Sequence, residues 1–331
     1  MTGITQAGDK KILVTGANGF IGRHLCDHLL GNGFLVRALV REGSSTILES
    51  NRNLEQLAGD HLDSGFLVKA CEDIDIIVHL AGLAHVNSST YEQLHKNNVY
   101  GTELLLAAAE EQKVERFVFM SSSLAATTNP QGFATTAYGK VKLAAEGLVM
   151  SQQKAGNMKC VILRPVNVYG PRMRGNIALL ISLVLRRLAP PLPRLRTSLS
   201  LIGVDDVCQA VSLVIMSETA CGKIYSLTDG VHYMISDIED AIYRQAGRNL
   251  PTWRTPRLLL YAACLSVESL RKFLSVFGLR IGLLDSAGLK TYNSLTNDNL
   301  FGNEDIKGDL GFKPKTTFYK SLPIIVEGLD S

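Results

Sequence analysis

Tyr138 and Lys142 stand four residues apart in "AYGKVKLAAEGLVM", a stretch of helical periodicity, so both side chains emerge on one face. A phenol with a pKa of about 10 is a poor acid–base group at neutral pH, but an adjacent ammonium favours its phenolate. The pair therefore suits proton exchange with a hydroxyl or a carbonyl. A second constellation sits near the start of the chain, where "KKILVTGANGFIGRHL" (10–25) sets Gly16, Gly19 and Gly22 between an apolar run and a helical pattern. Such a turn brings backbone close to something and then packs a helix tightly, and each step penalises a Cβ atom. The helix from Phe20 would aim free N–H groups and a positive dipole end at the turn, a seat for a pyrophosphate. Alone, the first motif is a common surface pair and the second a plain turn. Together they point to a proton moving at Tyr138 while hydride passes to or from a dinucleotide.

The elements that must position these groups alternate through the first half. "KILVTG" (11–16), "FLVRALV" (34–40), "IDIIVHLA" (74–81), "RFVFMS" (116–121) and "CVILRP" (160–165) are short and rich in branched and aromatic residues, as strands buried on both faces are. Helical spacing occupies 20–32, 90–113 and 137–155. This alternation predicts an α/β fold, a doubly wound parallel sheet with its ligand beyond the carboxyl ends of the strands. After residue 170 the pattern weakens: "LAPPLPRLRTS" (188–198) is a proline-rich connection, and helical candidates follow at 205–217, 234–246, 257–277 and 317–328. We expect a dinucleotide-binding domain over 1–170, with 200–220 returning to it, and a smaller, mainly helical substrate-binding region over 171–331.

Composition narrows the function classes. The 331 residues are 46% hydrophobic and 20% charged, enough for one large or two small domains, and the net charge of +3 comes from dispersed residues without a lysine-rich tract. A nucleic-acid partner is not expected, whereas a small anionic ligand is. The cysteines at 26, 71, 160, 208, 221 and 264 lack paired spacing and read as reduced core thiols. His79 and His85 lack metal-ligand spacing, and no metal is expected. "MTGITQAGDK" has no apolar signal stretch, and no run is long enough to span a bilayer, so the expected compartment is the cytoplasm. "RLLLYAACLSVESLRKFLSVFGLRIGLL" (257–284) is apolar enough to touch a membrane, but Glu268, Arg271 and Lys272 interrupt it, and it reads as a packed helix with an exposed side.

With its GxxGxxG spacing, the chain resembles the extended short-chain dehydrogenase/reductase family, in the branch of NAD-dependent epimerases and dehydratases, closest to the UDP-sugar 4-epimerases and sugar-nucleotide 4-ketoreductases. The likeness runs nearly end to end, through "TGANGFIG", "HLAG", "NNVYGT", "SSS", "YGKVK", "RPVNVYGP", "VDDV" and "DLGFKPKTTF". It implies a Rossmann fold and a catalytic set of Ser123, Tyr138 and Lys142, the serine bonding the reacting oxygen and the lysine also holding the nicotinamide ribose. It implies cofactor contacts from Gly16, Asn18, Gly19, Phe20, Ile21 and Gly22, from Asp60 and His61, from Leu80, Ala81 and Gly82, and from Asn98 and Pro165. Substrate contacts would come from His85, Ser123, Asn167 and Asn176, and the helices at 90–113 and 137–155 would form a homodimer face.

Two departures from the family bear on the pocket. Fourteen residues separate Ser123 from Tyr138, a short connection, so its roof is more open or Thr135 and Thr136 serve there. Leu199 occupies the place of a phosphate-binding arginine, and Arg196 is the candidate to replace it. At the end of the second strand, an NAD site wants a carboxylate and a 2′-phosphate wants an arginine. Val40 is followed by Arg41, which favours NADP(H), with NAD as the alternative. The leading expectation is an NADP(H)-dependent reductase or dehydrogenase acting at C4 of a nucleotide-linked sugar, UDP-linked by preference, in surface-polysaccharide synthesis. The alternatives are a 4-epimerase with tightly held NAD and, from another class, a non-catalytic NADP-binding scaffold or sensor.

Overall fold

Lys11–Thr15 and Arg116–Met120 are buried along almost their whole length, because helices cover both faces of the sheet they enter. The computed structural model describes residues 10–43, 51–83, 90–127, 134–188, 190–276 and 288–330. The strands in chain order are β1 (Lys11–Thr15), β2 (Leu35–Val40), β3 (Leu54–Ala58), β4 (Ile76–His79), β5 (Arg116–Met120), β6 (Lys159–Pro165), β7 (Asn167–Tyr169), β8 (Ser198–Gly203), β9 (Ile224–Leu227) and β10 (His232–Met234). The helices are α1 (Phe20–Gly31), α2 (Ser64–Ala70), α3 (Tyr91–His95), α4 (Gly101–Glu111), α5 (Ser123–Ala126), α6 (Ala137–Ala155), α7 (Asn176–Leu185), α8 (Val204–Met216), α9 (Ile235–Gln245), α10 (Arg257–Val276), α11 (Leu289–Thr296), α12 (Glu304–Leu310) and α13 (Phe318–Asp330).

Chain contacts divide the protein into two units. The first comprises Met1–Val166, Val204–Leu227 and Gly302–Lys313. Among the described residues its sheet has seven strands in the order β3-β2-β1-β4-β5-β6-β9, and every pairing is parallel. Val14 lies opposite Ala38 on one side and Val78 on the other, which sets the register at the centre. One core joins Leu13, Ile77, Phe117 and Ile162 of the sheet to Leu67 of α2, Leu105 of α4 and Val149 of α6. Each such side chain contributes roughly 1.5–3 kcal/mol by leaving water. The fold is the doubly wound parallel sheet that the alternation predicts. The helical run at 90–113 is interrupted by a wide π turn over Lys96–Tyr100, which joins α3 to α4.

The second unit comprises Asn167–Gly203, Thr228–Phe301 and Pro314–Ser331. Its small sheet has the order β10-β8-β7, with β8 antiparallel to β10 and parallel to β7. The buried Asp229 carboxylate accepts hydrogen bonds from Tyr169 (3.0 Å) and Tyr233 (2.6 Å), and the Tyr233 hydroxyl accepts one from the Phe318 N–H (3.0 Å). These bonds tie the small sheet to the start of α13.

Candidate active site

Strand order reverses between β1 and β4, so the loops after these strands open a crevice at the carboxyl edge of the sheet. Gly16 turns there at φ 68°, and a Cβ on it would lie 2.9 Å from the Ala81 backbone nitrogen. A Cβ on Gly22 would run into the Gly16 carbonyl, so α1 seats on the turn only because position 22 is bare. The turn is closed by the Gly19 N–H donating to the Gly16 carbonyl (2.9 Å), and the Arg23 Nε donates to the Asn18 carbonyl (3.0 Å). No acidic residue occupies the first turn of α1, which leaves its positive end to an external anion. These features fit a dinucleotide pyrophosphate, with Phe20 and Ile21 opening the helix beside it.

The second loop is held from below by an imidazole. His79 bonds Thr15 (Nδ1 to Oγ1, 2.7 Å) and Thr102 (Nε2 to Oγ1, 3.1 Å), and the Ala81 N–H donates to the same Thr15 hydroxyl (3.1 Å). Burial pushes His79 well below its usual range, so it stays neutral and positions Leu80–Gly82. At the neighbouring strand ends, Arg41 follows β2, and Asp60 follows β3 and accepts the Leu62 N–H (3.0 Å). His61 lies 3.5 Å from Asp60, and burial holds its pKa down against the raising influence of that carboxylate, with Arg41 adding to the lowering. Arg41, Asp60 and His61 thus share one corner of the first unit.

Ser123 and Tyr138 come from elements that touch. Ser123 begins α5, with Ser121 and the capping Ser122 between it and β5, and Tyr138 lies in the first turn of α6, which Thr136 caps by accepting the Gly139 N–H (2.9 Å). The bare Gly139 lets these helices meet, because a Cβ there would collide with the Leu124 carbonyl. The sequence carried a signal for this residue, since a glycine inside a helix costs about 1 kcal/mol against alanine and calls for a packing reason. Gly139→Ala should push α5 away from α6, lowering turnover at least tenfold with dinucleotide affinity kept; equal turnover in steady-state assays would show that the spacing is not critical. The Thr135 N–H donates to the Thr127 carbonyl (3.1 Å), closing the short connection, so Thr135 and Thr136 are engaged in local turn and cap bonds.

Lys142 is 4% exposed, and its ammonium stands 4.1 Å above the Phe119 ring, which stacks in turn on His79 at 5.7 Å. Desolvation lowers its pKa to about 7 against a raising influence from Glu146, one turn further along α6. Glu146 is itself buried, accepts from Arg164 (Nε, 2.9 Å; Nη2, 2.5 Å) and accepts the Ser121 hydroxyl. Tyr138 packs on Leu94, Val99 and Val141, and burial pushes its phenol up to about 12. Nearby, Asn98 donates to the Leu94 carbonyl (2.9 Å) and the Leu83 carbonyl (3.2 Å), while its buried Oδ1 has no partner and faces Gly82. An orphaned acceptor beside the glycine loop suits a bound ligand or a bridging water.

In the second unit, Asn167, Asn176 and Leu199 line one pocket of about 100 Å³ with Arg174, Ile235 and Ile238. Arg196 is exposed and outside that lining, and Arg174 is the pocket's cation, readable in "RMRGN" only by its nearness to Asn176. His85 lies outside the described residues, and Pro165 closes β6 in the first unit. Among the described residues no group of three metal-ligating side chains converges, and no helix is long and apolar enough to cross a membrane.

This fold is that of the dinucleotide-dependent oxidoreductases and epimerases. Residues 12–227 match the NAD dependent epimerase/dehydratase family, and the chain belongs to it. It is 26% identical over 266 residues to a dTDP-D-glucose 4,6-dehydratase of Dictyostelium discoideum, an alignment covering 70% of this chain and 61% of that one. A UDP-glucose 4-epimerase of Vibrio cholerae is 27% identical over 266 residues (75% and 78% of the two chains). A 3 beta-hydroxysteroid dehydrogenase/Delta 5-->4-isomerase of Mycobacterium tuberculosis is 26% identical over 334 residues (94% and 88%). The fold superposes on the UDP-glucose 4-epimerase of Thermotoga maritima with a TM-score of 0.75 at 22% identity, covering 97% and 98% of the chains.

Proposed function

We propose that the protein is an NADP(H)-dependent reductase or dehydrogenase acting at C4 of a nucleotide-linked sugar, UDP-linked by preference, in surface-polysaccharide synthesis. The observation that carries the reading is the joint placement of α5 and α6, with Gly139 seating Ser123 against the helix that bears Tyr138 and Lys142. A bound dinucleotide would supply or accept the hydride. In reduction Tyr138 gives its phenolic proton to the carbonyl oxygen, and in oxidation it takes the proton from the hydroxyl. Ser123 donates a hydrogen bond to the same oxygen, and Lys142 holds the ribose. The curated relatives named for dTDP- and UDP-sugar activities support the substrate class, and Asn167, Arg174 and Asn176 are suited to a diphosphate.

Arg41 supports the choice of NADP(H), since it follows β2 beside Asp60 and His61 with its side chain exposed. Replacing Arg41 with Asp should weaken NADPH binding at least tenfold more than NADH binding, because a cation facing a 2′-phosphate becomes a like charge. Titration with both cofactors checks this, and equal weakening would remove Arg41 from the 2′-phosphate. The likeness to a UDP-glucose 4-epimerase supports a second reading, epimerisation with retained NAD, and identifying any nucleotide that copurifies separates the two. An assay panel of 4-keto nucleotide sugars, with hydroxysteroids alongside because of the long match to a steroid dehydrogenase, tests the substrate class.

A further inference from the structure

Charge and apolarity are unevenly spread over the second unit. Residues 171–203 contain six arginines and no acid, and residues 246–267 contain three arginines and no acid. These stretches run side by side: Arg248 donates to the Val184 carbonyl, the Thr255 N–H to the Pro191 carbonyl (3.2 Å), and Arg257 to the Arg194 carbonyl (3.3 Å). Along that seam Arg186, Arg187, Arg194 and Arg257 are exposed. Arg187 even closes α7 at φ 58°, a left-handed position that glycine fills at lower cost. Arg254 is neutralised by the buried Glu239 (2.8 Å), and the first acid along α10 is Glu268, three turns from its start.

The same seam exposes side chains that a core normally buries. Leu188 is 65% exposed, Trp253 59%, Leu258 76% and Leu259 59%. Their grouping beside unopposed guanidinium groups is the composition of a surface that enters the headgroup layer: leucines and an indole reach the acyl boundary while arginines meet lipid phosphates. We infer that this face of the second unit docks on an anionic bilayer, lying in the interface without spanning it. A second copy of the chain is disfavoured as occupant, since a symmetric contact would pair this face with itself, and its two stretches, 171–203 and 246–267, offer the arginines no acid to meet. Nucleic acid would meet the arginines but leave the leucines in water.

The test uses the purified full chain and vesicles of phosphatidylcholine, pure or mixed with phosphatidylglycerol. Trp253 is the chain's single tryptophan, so its emission reports on this face alone. We expect cosedimentation and a shift of emission to shorter wavelength only with the anionic vesicles, both weakened by added salt. An Arg186→Glu/Arg187→Glu variant should partition at least tenfold less, each cation being worth roughly fivefold near such a surface. A Leu258→Ser/Leu259→Ser variant should lose the emission shift. The inference is overturned if the wild-type chain ignores anionic vesicles at low salt, or binds pure phosphatidylcholine equally well. It is equally overturned if the serine variant turns a dimer into a monomer without changing sedimentation with vesicles, or if the face binds an oligonucleotide and not the vesicles.

Discussion

Tyr138→Phe is expected to lower turnover by roughly two or more powers of ten while leaving the fold and NADPH affinity intact. The ring makes the packing contacts with Leu94, Val99 and Val141, and phenylalanine keeps them. What is lost is one hydroxyl whose proton is held tightly, since burial pushes the phenol up to about 12. Such a group stays protonated across the neutral range, which suits the acid of a carbonyl reduction. It becomes a base only when a positive charge arrives beside it, and the cationic ring of an oxidised nicotinamide is such a charge. Thermal unfolding and NADPH titration should match the wild type, and stopped-time assays with a 4-keto nucleotide sugar should show the loss. Wild-type turnover in a variant that binds NADPH normally would remove Tyr138 from the proton path.

The residues readable in the sequence are those whose reason is local. Three glycines around a helix start announce a crowded turn, and the structure shows the crowding as backbone of Ala81 and Gly16 standing where Cβ atoms would be. The spacing of Tyr138 and Lys142 is likewise a property of one helix, and α6 has the expected bounds, Ala137–Ala155. Less legible were features that depend on partners distant in the chain. Strand β3 gives little signal because it is an edge strand with polar residues in its middle, which dilutes its apolar pattern, and helix α2 is only seven residues long. The short β7, β8 and β10 strands find their partners across the proline-rich connection or beyond α8 and β9, so no local pattern announces them. His79 read as a histidine without metal-ligand neighbours, and its bonds to Thr15 and Thr102 join residues 64 and 23 positions away. Glu146 stands one turn from Lys142, a spacing visible in the sequence, but its pairing with Arg164 depends on where β6 lies against α6.

Lys142 carries the second large effect, and its sign is opposite for stability and for activity. Its folded pKa, about 7, lies below the ordinary lysine value because desolvation outweighs the attraction of Glu146. Below pH 7 the folded and unfolded chains both hold the proton, and the folded state bears the full cost of a buried ammonium. Between about 7 and the ordinary value the unfolded chain binds more protons, so the contribution of this group to stability improves as pH rises; above both values the cost is gone. Lys142→Met keeps the length of the side chain over Phe119 and removes the charge. The dinucleotide-free variant should therefore be more stable than the wild type at pH 6, on the order of a few kcal/mol, with the difference shrinking toward pH 10. Glu146 is not orphaned by the change, because Arg164 and Ser121 still bond it. The same substitution should lower turnover by two or more powers of ten and, unlike Tyr138→Phe, loosen NADPH, since in the proposed site the ammonium holds the ribose and with it the reacting ring. In the wild type NADPH affinity should carry a component that weakens as pH rises through 7, and that component should be missing in the variant. Denaturant titrations at pH 6 and pH 9 decide the matter: a Lys142→Met protein that is less stable by the same amount at both would mean that the lysine is held by its neighbours at no electrostatic cost, and that the residue is structural.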